Sequence, residues 1–238
     1  MAEDNYYLLT SLPALGELGS APPVSPAELV GRVQPFPLAK QILEVLFLGH
    51  DLLLREAFLA GEIDRLDDLA VLSVQQARNE APLPEFLVPE ARQRRIPADD
   101  LWEAYFRYAA RAGRQTGCFF LRAWVGYEVA VRNSIAVARA KALDLDPTDY
   151  LVAPELADRE VDTRSIVAEW SSAPTPLAAY QVLERARWEW VKAHDRWFSF
   201  AHDELAAYGA KLLILARWLR LAKAQSGKEP RPQTVGTS

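Results

Sequence analysis

The sequence predicts an all-α protein: an elongated bundle of long helices with a short N-terminal extended arm and a disordered C-terminal tail. Prolines divide the 238 residues into three long proline-free blocks, Leu38–Ala81, Ala98–Asp146 and Leu177–Glu229. Proline lacks the amide proton and clashes with the preceding turn, so such blocks are where long helices are free to form. Within them apolar residues recur at three- and four-residue intervals, the spacing of one helix face. The last block ends in Leu205–Lys223, LAAYGAKLLILARWLRLAK, which is apolar enough to be buried yet carries Lys211, Arg217 and Arg220. Three basic residues at the centre of a bilayer would each cost about 2.5–3.5 kcal/mol, so this segment reads as a helix packed on protein.

Taken in order, NYYLLTSLPAL is a short apolar run ended by Pro13, and Pro22, Pro23 and Pro26 close the arm. It suits a small strand, an extended arm or a first helical turn. Block one then opens with Leu38, Ile42, Val45, Leu46, Leu52, Leu53 and Phe58 on one face, and Gly61 is placed to stop it. A shorter helix is expected over Asp67–Asn79. Block two starts at Asp99 or Asp100, both good N-cap types, and is expected to run as one long helix to Leu143, with Gly113–Gly117 as the place for an interruption. Block three, Leu177–Lys223, crowds Trp188, Trp190, Trp197, Phe198 and Phe200 into a short interval, and Gly209 suggests a kink. The predicted organisation is a single helical domain over residues 1–225 and a polar, proline-bearing tail over 226–238.

Composition narrows the function. Half the residues are hydrophobic, ample for a core, and the net charge is −5; an acidic chain is a poor general nucleic-acid binder. The single cysteine, Cys118, excludes an intramolecular disulfide. The N-terminus is acidic where a signal peptide is basic, which points to the cytoplasm. No phosphate-binding loop, dinucleotide fingerprint, nucleophile elbow, HExxH or CxxC pattern occurs. The three histidines each precede aspartate (His50–Asp51, His194–Asp195, His202–Asp203), but adjacent residues on a helix diverge by about 100° and do not converge as ligands. No catalytic, cofactor-binding or metal-ligating set is therefore assigned. Cys118 reads as a buried structural residue. Arg92, Arg94 and Arg95 form a basic cluster in the proline-rich connection and read as a solvated loop. Glu128 and Arg132 stand four apart among Trp124, Val125, Val129 and Ile135, a spacing that forms ion pairs along a helix. In apolar surroundings such a pair reads as partly buried.

The opening Tyr6, Tyr7, Leu8, Ser11, Leu12 and Pro13, the central Glu128, Arg132 and Asn133, and the late Tyr208, Lys211, Leu212, Ile214, Leu215, Arg217 and Trp218 with Gly227 beyond together resemble a bacterial family of uncharacterised helical proteins. That family is encoded alongside vacuolar/archaeal-type (V-type) ATPases. Its members look like counterparts of the V-type ATPase C subunit, which joins the central rotor shaft to the membrane ring. This chain is shorter than a complete C subunit and shows no threefold repeat. The resemblance implies a non-catalytic subunit or accessory of a V-type ATPase, partnered with rotor-shaft and membrane-ring subunits, peripheral to the inner membrane and without a span of its own. Tyr6, Tyr7, Trp188, Trp190 and Trp197 are then the expected partner anchors, since interface energy concentrates in such residues. Glu128, Arg132, Asn133, Lys211 and Arg217 are expected to hold helices together. The rival readings are a helical adaptor or assembly factor not retained in the ATPase, and an enzyme whose groups converge only in space around Asp195, His202 and Glu204.

Overall fold

The computed structural model describes residues 2–67, 69–88, 96–196, 199 and 201–226. Among them are nine α-helices, three short 3-10 turns and no strand. The helices are α1 (Ala2–Ser11), α2 (Pro26–Arg32), α3 (Pro37–Leu59), α4 (Val74–Ala77), α5 (Pro97–Gln115), α6 (Phe119–Ala142), α7 (Thr163–Ser172), α8 (Pro176–His194) and α9 (His202–Ser226).

Proline and small polar residues set most of the starts. Ser25 caps α2 in a reciprocal box with Glu28, with Pro26 in the first turn. Pro37, Pro97 and Pro176 begin α3, α5 and α8, where the missing amide proton has no helical partner to lose. α3 ends at Ala60–Gly61 as expected, Gly61 taking a φ of 72°.

Several expectations are corrected. The N-terminal arm is helical over Ala2–Ser11; only the stretch from Leu12 to Ser25 is irregular. A lone strand would leave its backbone unpaired, whereas a helix satisfies it internally. The helix expected over Asp67–Asn79 shrinks to Val74–Ala77. The amides of Ala70, Val71 and Leu72 donate instead to the Asp51 carboxylate at 2.7–3.2 Å, which fixes that segment as a loop. Block two is two helices. Gly117 adopts φ 68°, a left-handed conformation that a helix interior excludes, and Cys118 caps α6 by accepting the Leu121 amide at its Sγ. Asp99 and Asp100 are not caps but lie in the first turn of α5, where a negative charge favours the helix dipole. Block three also divides, between His194 and His202. Gly209 is no break: α9 is continuous through it. A helix in the loop-rich region, α7, escaped sequence reading; Asp162 caps it. The predicted tail from Gly227 onward lies outside the described residues.

The long helices pack side by side. α5 and α6 form an antiparallel hairpin, with Gly113 beside Arg122 near the turn and Asp99 paired to Arg132 at the open end. α8 and α9 form another, tied by Asp195 to Lys211 and by Glu184 to Arg217. α3 lies against both α5 and α9. One apolar cluster runs through all of them, from Leu8 and Val33 through Phe47, Trp102, Tyr127 and Trp188 to Leu215. Two glycines permit the closest approaches: a Cβ on Gly209 would lie 2.6 Å from Leu43 Cδ2, and one on Gly49 would lie 2.5 Å from the Tyr105 hydroxyl.

Gly209→Val is therefore expected to destabilise the protein by about 1–3 kcal/mol through overpacking. Gly31→Ala, on a helix with no heavy atom within 4 Å of the new Cβ, is expected to stabilise it by about 0.5–1 kcal/mol. Urea unfolding of both variants checks the pair of signs.

Candidate functional site

The Glu128–Arg132–Asn133 stretch on α6 reaches three different elements. Glu128 does not pair with Arg132, contrary to the helical spacing. Its carboxylate accepts two hydrogen bonds from Arg187 on α8, Nε at 2.7 Å and Nη2 at 2.9 Å. Arg132 donates to Asp99 on α5 at 3.0 Å and lies over the Trp102 ring, 4.8 Å from its centroid. The buried Asn133 amide grips the backbone of Val152, donating to its carbonyl and accepting its amide, both at 2.9 Å. This last contact pins the loop after α6, where Ala153 adopts φ 42°. A left-handed alanine is costly, and the two Asn133 bonds beside it help hold the conformation.

From Arg187 the charges continue inward. Arg187 Nη1 donates to Glu184 Oε1 at 2.7 Å, and Glu184 Oε2 stands 3.0 Å from Arg217 Nε on α9. The result is a ladder, Glu128–Arg187–Glu184–Arg217, crossing α6, α8 and α9. Glu184 is fully buried and Arg217 is 8% exposed. Burial opposes the Arg187 charge, but Glu128 and Glu184 outweigh it and raise its pKa well above the ordinary value.

The outer end of the ladder lines a cleft of about 520 Å³ between α3, α5, α6 and α8. Its walls are Leu53, Trp102, Phe106, Val131, Ile135 and Leu183, with Glu56, Asp99, Arg132, Arg139 and Tyr180 among the polar groups. Burial raises the Glu56 carboxyl above its usual range, an effect partly offset by the Trp102 indole, whose Nε1 donates to it at 2.6 Å. Ile96 and Leu143 are exposed at this cleft. A second cleft, of about 540 Å³, lies between the segment Leu9–Glu17 and the α8–α9 hairpin. Trp188, Lys192, Asp195, Glu204, Tyr208 and Lys211 line it. Tyr208 spans it by donating its hydroxyl to the Pro13 carbonyl at 2.9 Å.

The expected partner anchors separate. Tyr6 and Tyr7 are exposed, 47% and 72%, and meet edge to face at 5.7 Å, while the adjacent Leu8 is buried. Trp188 is buried, with an edge on the second cleft. Trp190 likewise faces inward, among Phe120, Trp124 and Tyr127 at 5.0–5.7 Å and stacked on His194. Large apolar rings on a bundle helix are drawn to its core first. Trp197, Arg92, Arg94 and Arg95 lie outside the described residues. Of the five residues expected to hold elements together, Arg132, Glu128, Lys211 and Arg217 tie helix to helix or helix to turn, and Asn133 ties a loop. Of the possible enzymatic trio, Asp195 and Glu204 share the second cleft, but His202 does not line it. Among the described residues no cluster of three metal-ligating side chains occurs. Cys118 is buried, and burial pushes its thiol up to about 12, far from a reactive thiolate.

Sequence reading missed Glu184 and Arg187, and took Asp99 only as a helix cap. The i, i+3 spacing of Glu184 and Arg187 was a visible signal; their partners on other helices were not. Neither a family model, nor a curated protein, nor a solved structure matches this chain.

Arg187→Met strands two carboxylates and is expected to destabilise the fold by about 3–5 kcal/mol, the magnitude for breaking a buried pair from one side; urea denaturation at neutral pH measures it. A second expectation concerns pH. Burial, with Arg217 and Arg220 adding to it, holds His50 well below its ordinary 6.5. As pH falls through that value the unfolded chain takes up a proton that the folded one refuses, so stability drops by up to about 1.4 kcal/mol per pH unit. Asp51 acts oppositely: burial raises its carboxyl from 3.8 to about 6, so the folded state takes the proton first and gains stability between those values. The two effects offset in the native protein. His50→Leu is expected to leave only the Asp51 effect, so that its stability relative to the native protein climbs as pH is lowered from 6 to 4. Parallel stability curves for the two proteins would contradict this assignment.

Proposed function

We propose that this chain is a non-catalytic helical subunit or accessory of a bacterial V-type ATPase, a coupler between the central rotor shaft and the membrane ring. The observation that carries the reading is how the resembling stretches meet. The tyrosine-rich arm ends at Pro13, whose carbonyl receives the Tyr208 hydroxyl from α9, 195 positions away. Lys211, one turn on, clamps Asp195 at the α8–α9 turn. Arg217 meets Glu184, and through Arg187 the chain of charges arrives at Glu128. Residues singled out at the start, middle and end of the sequence therefore serve one connected set of ties.

Such ties suit a part that carries load. A coupling element must transmit torque without yielding, and close-packed interiors have low compressibility. The side chains of the ladder are engaged with one another, which supports a structural role for them. Tyr6 and Tyr7 are the grip on a partner: α1 shows them to solvent while Leu8 anchors the helix. Among the described residues no helix is long and apolar enough to cross a membrane, so in this reading contact with the membrane ring is made through partner subunits.

Tagged protein purified from its native host at about 0.15 M salt, where exposed charges are screened beyond about 8 Å, is expected to bring down ATPase subunits. The double substitution Tyr6→Ala, Tyr7→Ala is expected to cut that recovery at least tenfold, as loss of about 1.4 kcal/mol or more of interface energy would. Isolation of an intact, coupled ATPase that lacks this chain overturns the proposal; capture of a single subunit only during assembly supports the adaptor reading instead.

A further inference from the structure

The cleft between α3, α5, α6 and α8 is lined by three acids, Glu56, Asp99 and Glu128, and three bases, Arg132, Arg139 and Arg187. Four of these charges are matched: Asp99 pairs with Arg132 at 3.0 Å and Glu128 with Arg187 at 2.7 Å. Among the described residues Glu56 and Arg139 form no ion pair, with each other or with a neighbour. Trp102 donates to Glu56 Oε1 at 2.6 Å, and among the described residues Oε2 accepts no hydrogen bond. Arg139 lies over the Trp170 ring, 5.1 Å from its centroid, and its N–H groups find no acceptor among the described residues.

These two unmatched charges stand well apart along one wall. Glu56 belongs to the Arg132 end, because the Trp102 ring that bonds it also lies 4.8 Å from the Arg132 guanidinium. Arg139 is seven residues further along α6, which is two turns on the same face and about 10 Å of helix. Much of the remaining wall is apolar, with Leu53, Phe106, Val131, Ile135 and Leu183. Leu143 and Leu145 are exposed at it. Tyr150 and Tyr180 also line it, and among the described residues neither hydroxyl has a hydrogen bond.

Each feature restricts the occupant. Glu56 is a half-buried carboxylate without a cation of its own, and a ligand ammonium supplies one. Arg139 takes a carboxylate, which its planar fork fits. A single α-amino acid carries both charges on one carbon and cannot reach both ends. An extended chain of three residues spans about 10 Å and carries an ammonium and a carboxylate at its two ends. Its peptide groups offer the donors and acceptors that the Tyr150 and Tyr180 hydroxyls can engage. The cleft volume of about 520 Å³ is within the range of small-ligand pockets.

We propose that this cleft binds a short apolar peptide, about three residues long, with its free amino group on Glu56 and its C-terminal carboxylate on Arg139. The site does not depend on the V-type ATPase reading and stands or falls without it.

Titration calorimetry of the full chain with trileucine and trivaline tests this. At least one of the two is expected to bind with a dissociation constant of about 10–100 μM. Its N-acetylated form and its C-terminal amide are each expected to bind at least tenfold more weakly, the effect of losing a charge-assisted hydrogen bond. Glu56→Gln is expected to weaken the free peptide at least tenfold and to abolish discrimination against the acetylated form, while keeping discrimination against the amide. Arg139→Met is expected to do the reverse. Arg139 is exposed, so its replacement spares the core; should Glu56→Gln fail to fold, the blocked peptides on the native protein and the Arg139 variant still decide. No saturable binding of either peptide up to about 1 mM, blocked forms that bind as well as the free peptide, or variants whose losses do not follow this reciprocal pattern overturn the proposal.

Discussion

Taking Glu184 out of water is the demand around which the centre of this protein is arranged. A lone carboxylate in a helix interior is strongly disfavoured, and it persists only when paired and hydrogen-bonded. Arg187 and Arg217 approach it from either side, one from its own helix and one from α9. Arg187 in turn needs Glu128 on α6. Three helices are thereby held in one relative placement, because a shift of any of them strands a charge. Apolar packing is non-directional and tolerates sliding; an ion ladder does not. Whether such ladders specify structure varies among proteins. Here the ladder lies in the same chain as the directional Asn133–Val152 and Asp51–loop bonds, all of which fix one segment against another.

The polar ties and the apolar core divide the work. Trp188, Trp190, Trp124 and Tyr127 supply buried area at the contact of α6 and α8. Gly49 and Gly209 let α5 and α9 close onto α3. The charged and amide contacts then select one register among the many that such a greasy surface would accept. Asp51 does this for the loop after α3 and Asp203 for the start of α6, whose Phe120 amide donates to it. A body organised in this way resists deformation, which is the property a mechanical coupler needs. In the proposed coupler, recognition falls to exposed groups such as Tyr6 and Tyr7.

Much of the architecture was legible in the order of residues because its signals are local. Proline-free blocks mark helices, since backbone chemistry decides where a helix is allowed; Gly61 marks a stop for the same reason. The three blocks that hold α3, α5 with α6, and α8 with α9 follow from this, and the all-α class with them; the breaks within the second and third blocks do not. Where reading failed, a tertiary contact had won. The amides of Ala70–Leu72 are in reach of a helix but are taken by Asp51. Glu128 and Arg132 have the spacing of a helical pair, yet each finds a better-placed partner on another helix. Trp188 and Trp190 have the composition of an interface, yet Trp188 is buried in the core and Trp190 packs against it.

By itself the sequence determined the three long helical blocks, the stop at Gly61 and that the last helix needs a covering surface. It did so through dihedral limits and hydrophobic periodicity, which act over a few residues. Only the tertiary structure decided which charge meets which, that Glu184 is buried with two arginines, and that His50 is buried on α3. Those facts depend on distances between segments far apart in the chain, and pairing between side chains leaves no periodic trace along it.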